Sequence, residues 1–248
     1  MAMKLFLREN KQIVFLLGAL AVIYAVMVCL NTNFAFSLIN RTFKYAGVSV
    51  CFLTAVAAYK VSFNRDDAKL LVWALLFTLV SDALLLFASA PELGVLSFLI
   101  VHLLYIRRYK KKSFKRNLIL ALAAASFSAA GFWASFSFPY ILLLGAVYAV
   151  FIFTSTILAF RSNLPPINKR LAEIGMVLFL LCDLNVAISF LAQSGSLVQW
   201  IAGNLEWIFY IPSQALLALS AAGYGSRIPK SIRLFGDSVK KSSRPSAE

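Results

Sequence analysis

Two aspartates, Asp82 and Asp183, interrupt apolar runs that otherwise read as membrane-spanning helices. The first sits in LLVWALLFTLVSDALLLFA and the second in IGMVLFLLCDLNVAISFL. An ionised carboxylate in hydrocarbon costs about 3 kcal/mol or more, so such a residue persists where it has a partner or a function. Asp82 lies thirteen residues after Lys69, and Asp183 thirteen after Arg170. At a helical rise of 1.5 Å, both fall about 20 Å from the basic boundary they follow, hence at one depth. Paired carboxylates at one level suit acid–base chemistry or ion handling.

The other polar residues within apolar stretches are few. Lys44 is near an outer end, His102 and Tyr105 are three apart and share a helix face, Tyr148 stands alone, and Asn185 follows Asp183. Glu206, Tyr210, Ser213 and Gln214 fall at helical spacing into one stripe, interrupted by Pro212, which should kink its helix and free a backbone carbonyl. Measured from a tight turn near Ser89–Glu92, Asp82 and His102 come within about 3 Å of one depth, so they are expected to face each other. Glu206 joins the same outer level, as a third acid or as a rim group. A lone buried Asp serves as interhelical glue as readily as chemistry. Two at matched depth, with a His, a Lys and a Glu, favour function. Tyr105 and Tyr148 read equally as interfacial aromatics, and Lys44 reads slightly better as a snorkelling surface cation.

The elements that must position these groups follow from composition. Of 248 residues, 61% are hydrophobic and 14% charged, against roughly 25% charged in soluble domains. Eight apolar stretches emerge near Gln12–Leu30, Thr42–Val61, Leu70–Ser89, Leu93–Ile106, Asn117–Ala134, Tyr140–Phe160, Leu171–Leu191 and Val198–Ala222, most close to the ~20 residues that cross a bilayer. Short connections predict antiparallel hairpins in an all-α, polytopic membrane protein. Of the 24 Lys and Arg residues, all but Arg41 and Lys44 fall on one side of this segmentation. The positive-inside rule then gives eight spans with both termini cytoplasmic, in a bacterial inner or cell membrane. Residues 1–222 form the predicted transmembrane domain and 223–248 a basic, flexible cytoplasmic tail suited to anionic headgroups.

The net charge of +14 is explained by topology and carries no nucleic-acid signature. Cys29, Cys51 and Cys182 lie in apolar stretches with no CxxC, so no disulfide framework is expected. The first apolar run is too long for a signal peptide and lacks a cleavage site, which makes it an uncleaved span. A single histidine excludes a three-His zinc hydrolase, and neither a P-loop nor GxSxG occurs. No metal and no cofactor are expected.

Four blocks resemble the lysoplasmalogenase family of YhhN-like membrane proteins: VSDALLLF at Asp82, GVLSFLIVHLLYI from Gly94 through His102 and Tyr105, GMVLFLLCD ending at Asp183, and YIPSQALLA with Tyr210 and Gln214. The most specific is G-x-x-x-F-x-x-x-H-x-x-Y. The chain departs from the family with Ser81 and Cys182 before its two aspartates and with Tyr45 after Lys44. The resemblance implies hydrolysis of the vinyl ether of a lysophospholipid to a fatty aldehyde and a glycerophospho-alcohol, with Asp82 and Asp183 sharing the roles of acid and base. His102, Tyr105, Tyr148, Asn185, Glu206, Tyr210 and Gln214 would support them, and Lys44 would meet the lipid phosphate. The geometry expected is that the third and seventh spans lie side by side, with both carboxyls turned into a common hollow open to lipid. Rival readings are an intramembrane aspartyl protease, which would want Gly-x-Gly-Asp, and an ion-coupled transporter.

Overall fold

The computed structural model describes residues 2–34, 38–135 and 140–224. The elements are a short α1 (Ala2–Glu9) followed by α2 (Lys11–Phe34), α3 (Leu38–Lys60), α4 (Arg65–Leu86), α5 (Pro91–Tyr109), α6 (Phe114–Ser135), α7 (Tyr140–Phe160), α8 (Pro166–Leu191) and α9 (Leu197–Leu219). A 3-10 turn (Lys111–Ser113) links α5 to α6. Among the described residues there is no strand, only one antiparallel bridge between Ser62 and Ala222. Five helices, within α2, α3, α4, α7 and α8, are long and apolar enough to cross a membrane. The protein is an all-helical, multi-pass membrane protein.

Local sequence sets the helix ends. Asn64 caps α4 by accepting from the Asp66 and Asp67 amides, at 2.9 and 3.3 Å, and those two acids sit in the positive first turn. Proline opens both α5 and α8, where a missing N–H costs nothing. Ser196 caps α9 through the Gln199 amide. The fourth predicted stretch stopped at Ile106 because Arg107 and Arg108 broke the apolar pattern; the helix continues to Tyr109. The short α1 precedes the first apolar run, and Phe6 packs edge-on against Tyr224 at 4.8 Å.

Core helices close into a ring: α4 packs on α5, α5 on α7, α7 on α8, α8 on α9, and α9 on α4. Three long helices, besides the short α1, lie outside it. α3 covers α4 and α9, α6 covers α7, and α2 packs on α3 and α9. Thus α4 and α8 do not pack on each other, which corrects the expectation that the third and seventh spans are neighbours. They face across the ring, with α9 between them on one side and α5 and α7 on the other. Close approach of α8 and α9 depends on Gly175, where an added Cβ would come within 3.3 Å of the Leu217 backbone nitrogen. Ser213 donates to the Gly175 carbonyl at the same crossing, 2.9 Å.

Arg108, assigned by sequence to the basic connection, is buried and forks onto Asp67 at 2.9 and 3.0 Å. It also donates to the Ser220 hydroxyl and carbonyl, at 2.8 and 3.0 Å, and Asn168 donates to the Ser220 and Ala222 carbonyls. One lock therefore ties the start of α4 and α8 to the end of α5 and α9. This is the basic end of the bundle. Of the predicted tail, residues 225–248 lie outside the described residues. Gly223 and Tyr224 are packed: the Gly223 amide donates to Val61 and the Tyr224 hydroxyl to Leu219, both at 2.8 Å.

Candidate active site

Inside the ring, α4 presents Asp82, which is 3% exposed, to α9. Tyr210 donates its hydroxyl to Asp82 Oδ2 at 2.7 Å. Ser81, beside it, turns back onto the Phe77 carbonyl of its own helix and leaves the carboxylate alone. From the facing side α8 presents Asp183, half-buried, which accepts a short hydrogen bond from the Tyr148 hydroxyl of α7. Asp82 lies close enough to Asp183 to feel its charge, and Asp183 likewise feels Glu206. Three carboxyl groups thus share one low-dielectric interior.

His102 is completely buried on α5. Its Nε2 is 3.0 Å from the Tyr148 hydroxyl and its Nδ1 is 2.9 Å from Ser155 Oγ on α7. It does not meet Asp82, the partner expected from depth; α5 and α7 are in contact, and the imidazole turns to α7. The result is a continuous string, Ser155–His102–Tyr148–Asp183. It has two self-consistent proton arrangements. With Asp183 ionised, Ser155 donates to Nδ1, Nε2–H donates to the Tyr148 oxygen, and Tyr148 donates to the carboxylate. With Asp183 protonated, every bond reverses: the acid donates to Tyr148, Tyr148 to Nε2, and Nδ1–H to Ser155, whose own proton goes to the Ile152 carbonyl 3.0 Å away. Each arrangement satisfies the same heavy-atom positions.

Phe179 packs at the centre, with centroids 5.2 Å from His102 and 5.8 Å from Tyr210. It sits one turn from Asp183 on the same face of α8 and separates the imidazole from the Asp82–Tyr210 pair. Sequence reading missed Phe179 and Ser155. Neither type stands out in an apolar helix, although the i−4 spacing of Phe179 from Asp183 was a usable signal.

Lys44 is 6% exposed and does not snorkel; its ammonium lies 4.5 Å over the Trp207 ring and within the field of Glu206. Trp207, also missed, then meets Tyr210 edge-on at 5.4 Å. The structure therefore brings together Asp82, Asp183, Tyr148, His102, Tyr210, Glu206 and Lys44. It does not join Asn185, which donates to the Leu181 carbonyl of its own helix. Tyr105 and Gln214 are buried one turn towards the basic end, and neither the Tyr105 hydroxyl nor the Gln214 carboxamide has a hydrogen-bond partner among the described residues. No group of three His, Cys, Asp or Glu among the described residues is arranged to hold a metal ion.

No curated protein and no solved structure matches the chain. The YhhN family model matches residues 39–221, from the start of α3 to the end of α9, leaving α1 and α2 before the match. By that match, which takes in every residue of the carboxylate cluster, the chain belongs to the YhhN family.

Proposed function

We propose that this protein is a membrane-embedded hydrolase that cleaves the vinyl ether bond of lysoplasmalogens, with all eight long helices crossing the bilayer and both termini cytoplasmic. The observation that carries the reading is the grouping of Asp82, Asp183 and Glu206 in one interior with Lys44, where two carboxyls each hold a tyrosine hydroxyl. Like charges in low dielectric do not all ionise, so the cluster keeps acid and carboxylate forms side by side.

A vinyl ether, R–CH=CH–O–R′, hydrolyses by proton transfer to its β-carbon, which makes an oxocarbenium ion. Water adds at the cationic carbon and loses a proton, and the hemiacetal collapses to the aldehyde R–CH2–CHO and the alcohol HO–R′. The proton string gives Asp183 the role of acid. Its protonated form is one of the two satisfied arrangements, and once the proton has left, the Tyr148 hydroxyl turns back to donate to the carboxylate that remains. Asp82, held by Tyr210, supplies the carboxylate that stabilises the cation and accepts the proton of the attacking water. Phe179 packs between the imidazole and Tyr210.

The test is a reaction of purified protein in detergent or nanodiscs with lysolipids of matched chain length and vinyl ether, alkyl ether or ester linkage, read by mass spectrometry. Aldehyde release from the vinyl ether alone is the expected result. Turnover of the ester only, or of none, rejects the reading.

A further inference from the structure

Pro212 cannot donate to the carbonyl four residues before it, so Ile208 is left with an unpaired oxygen inside α9. That carbonyl accepts the Tyr24 hydroxyl of α2 at 3.1 Å. Seven residues further along α2, about 10 Å away, Asn31 donates to the Gly203 carbonyl and to Asn204 Oδ1 at 3.3 and 2.9 Å, and is itself backed by Asn40 of α3. The two helices are thus pinned at two polar points. Between the pins they do not interdigitate. A groove of about 240 Å³ begins there and continues past the Asn31 pin, with Met27 and Val28 on one wall and Trp200, Ile201, Leu205, Trp207 and Ile208 among those on the other. At about 30 Å³ for each water-sized or methylene-sized unit, it takes roughly eight such units in a row.

The groove meets the residues of the candidate site at one side chain. Trp207 lines it, carries the Lys44 ammonium on its ring, and packs on Tyr210, the donor to Asp82. We propose that the α2–α9 groove binds the single aliphatic chain of the lysolipid substrate and measures its length, with Trp207 as the partition where the chain ends and the reacting bond begins. This inference rests on the lysolipid reading above. Its lining is almost wholly apolar, which suits an alkyl chain and excludes the headgroup. Trp200 and Ile201, one turn past the Asn31–Asn204 bridge, line the end farthest from Trp207, so a chain threaded past Trp207 ends against them. α2 lies before the family match, so the ruler is built partly from a helix that the family model does not describe.

Two experiments test the groove. A non-cleavable alkyl-ether lysolipid with a diazirine at its chain terminus is photolysed on the wild-type protein in nanodiscs, and adducts are mapped by peptide mass spectrometry. Adducts concentrated on Met27, Trp200, Ile201 and Ile208, and competed by excess lysolipid, support the proposal. Adducts spread evenly over exposed positions such as Phe153 and Ile157 of α7 overturn it. Separately, Ile201→Trp shortens the groove and should lower kcat/KM about tenfold for the longest vinyl ether chains while sparing shorter ones. Ile174→Trp, exposed on α8 away from the groove, keeps the wild-type chain-length profile, and an identical profile in Ile201→Trp overturns the ruler. The probe needs no turnover, so the two readings fail separately. Localised labelling without hydrolysis of any lysolipid upholds a chain-binding groove and sinks the hydrolase, whereas hydrolysis with diffuse labelling does the reverse.

Discussion

Asp67 meets Arg108 in a two-bonded fork at the basic end of the bundle, whereas Asp82 and Asp183 accept from tyrosine hydroxyls in its middle. Both regions bury carboxylates between helices. In the first, one cation offsets one anion, and the remaining guanidinium hydrogens go to Ser220. In the second, three acids face one lysine, and Tyr148, placed between Asp183 and His102, can direct its proton to either. The first arrangement locks four helix ends at the expense of desolvating a matched pair. The second holds like charges together against their repulsion, which a purely structural cluster has no reason to do. The lock can only hold; the cluster can exchange a proton.

Mutations at the two regions should therefore separate folding from turnover. Asp183→Asn is expected to lower aldehyde release by about 10²–10⁴-fold, the range for loss of a general acid, with the melting temperature in detergent little changed because the carboxamide keeps the shape of the neutral acid and can still bond to Tyr148. A mutant that melts early would move Asp183 into the structural class. Arg108→Met should do the opposite. Leaving Asp67 without its cation costs about 3–5 kcal/mol, visible as a lower melting temperature and poor recovery, and the double replacement Arg108→Met with Asp67→Leu should regain much of it. Equal stability of the single and double variants would break the comparison.

Smaller effects sharpen it. Tyr148→Phe cuts the string next to Asp183 and should reduce kcat by roughly 10–10²-fold with KM little changed. Ser155→Ala removes only the terminal acceptor of the reversed string, and a loss of a few-fold is expected, on the order of 1 kcal/mol for one buried hydrogen bond. If Ser155→Ala lowered kcat more than Tyr148→Phe, proton transfer through the string would be refuted in favour of simple packing of His102.

Helical content and the placement of both aspartates within long apolar helices were legible in the chain because they depend on local period. Pro212 was legible for the same reason. Its carbonyl had to be freed, and α2 satisfies it through Tyr24. Partner choice did not carry over. His102 lies level with Asp82 by residue counting yet turns to Tyr148 and Ser155, because depth along one axis says nothing about rotation around it. Arg108 looked like one more loop cation, and nothing in its own neighbourhood announced Asp67, forty-one residues away.

The sequence by itself determined that this is a bundle of apolar helices with acids within them, since hydrophobic period is a property of single segments. Only the tertiary structure decided that α4 and α8 oppose each other across α9 and α5–α7, that one aspartate receives a proton string and the other a lone tyrosine, and that α2 leaves a groove against α9. Those outcomes depend on how side chains of different helices interdigitate, on Gly175 admitting Leu217 and Phe179 filling the centre, and no single helix carries that information.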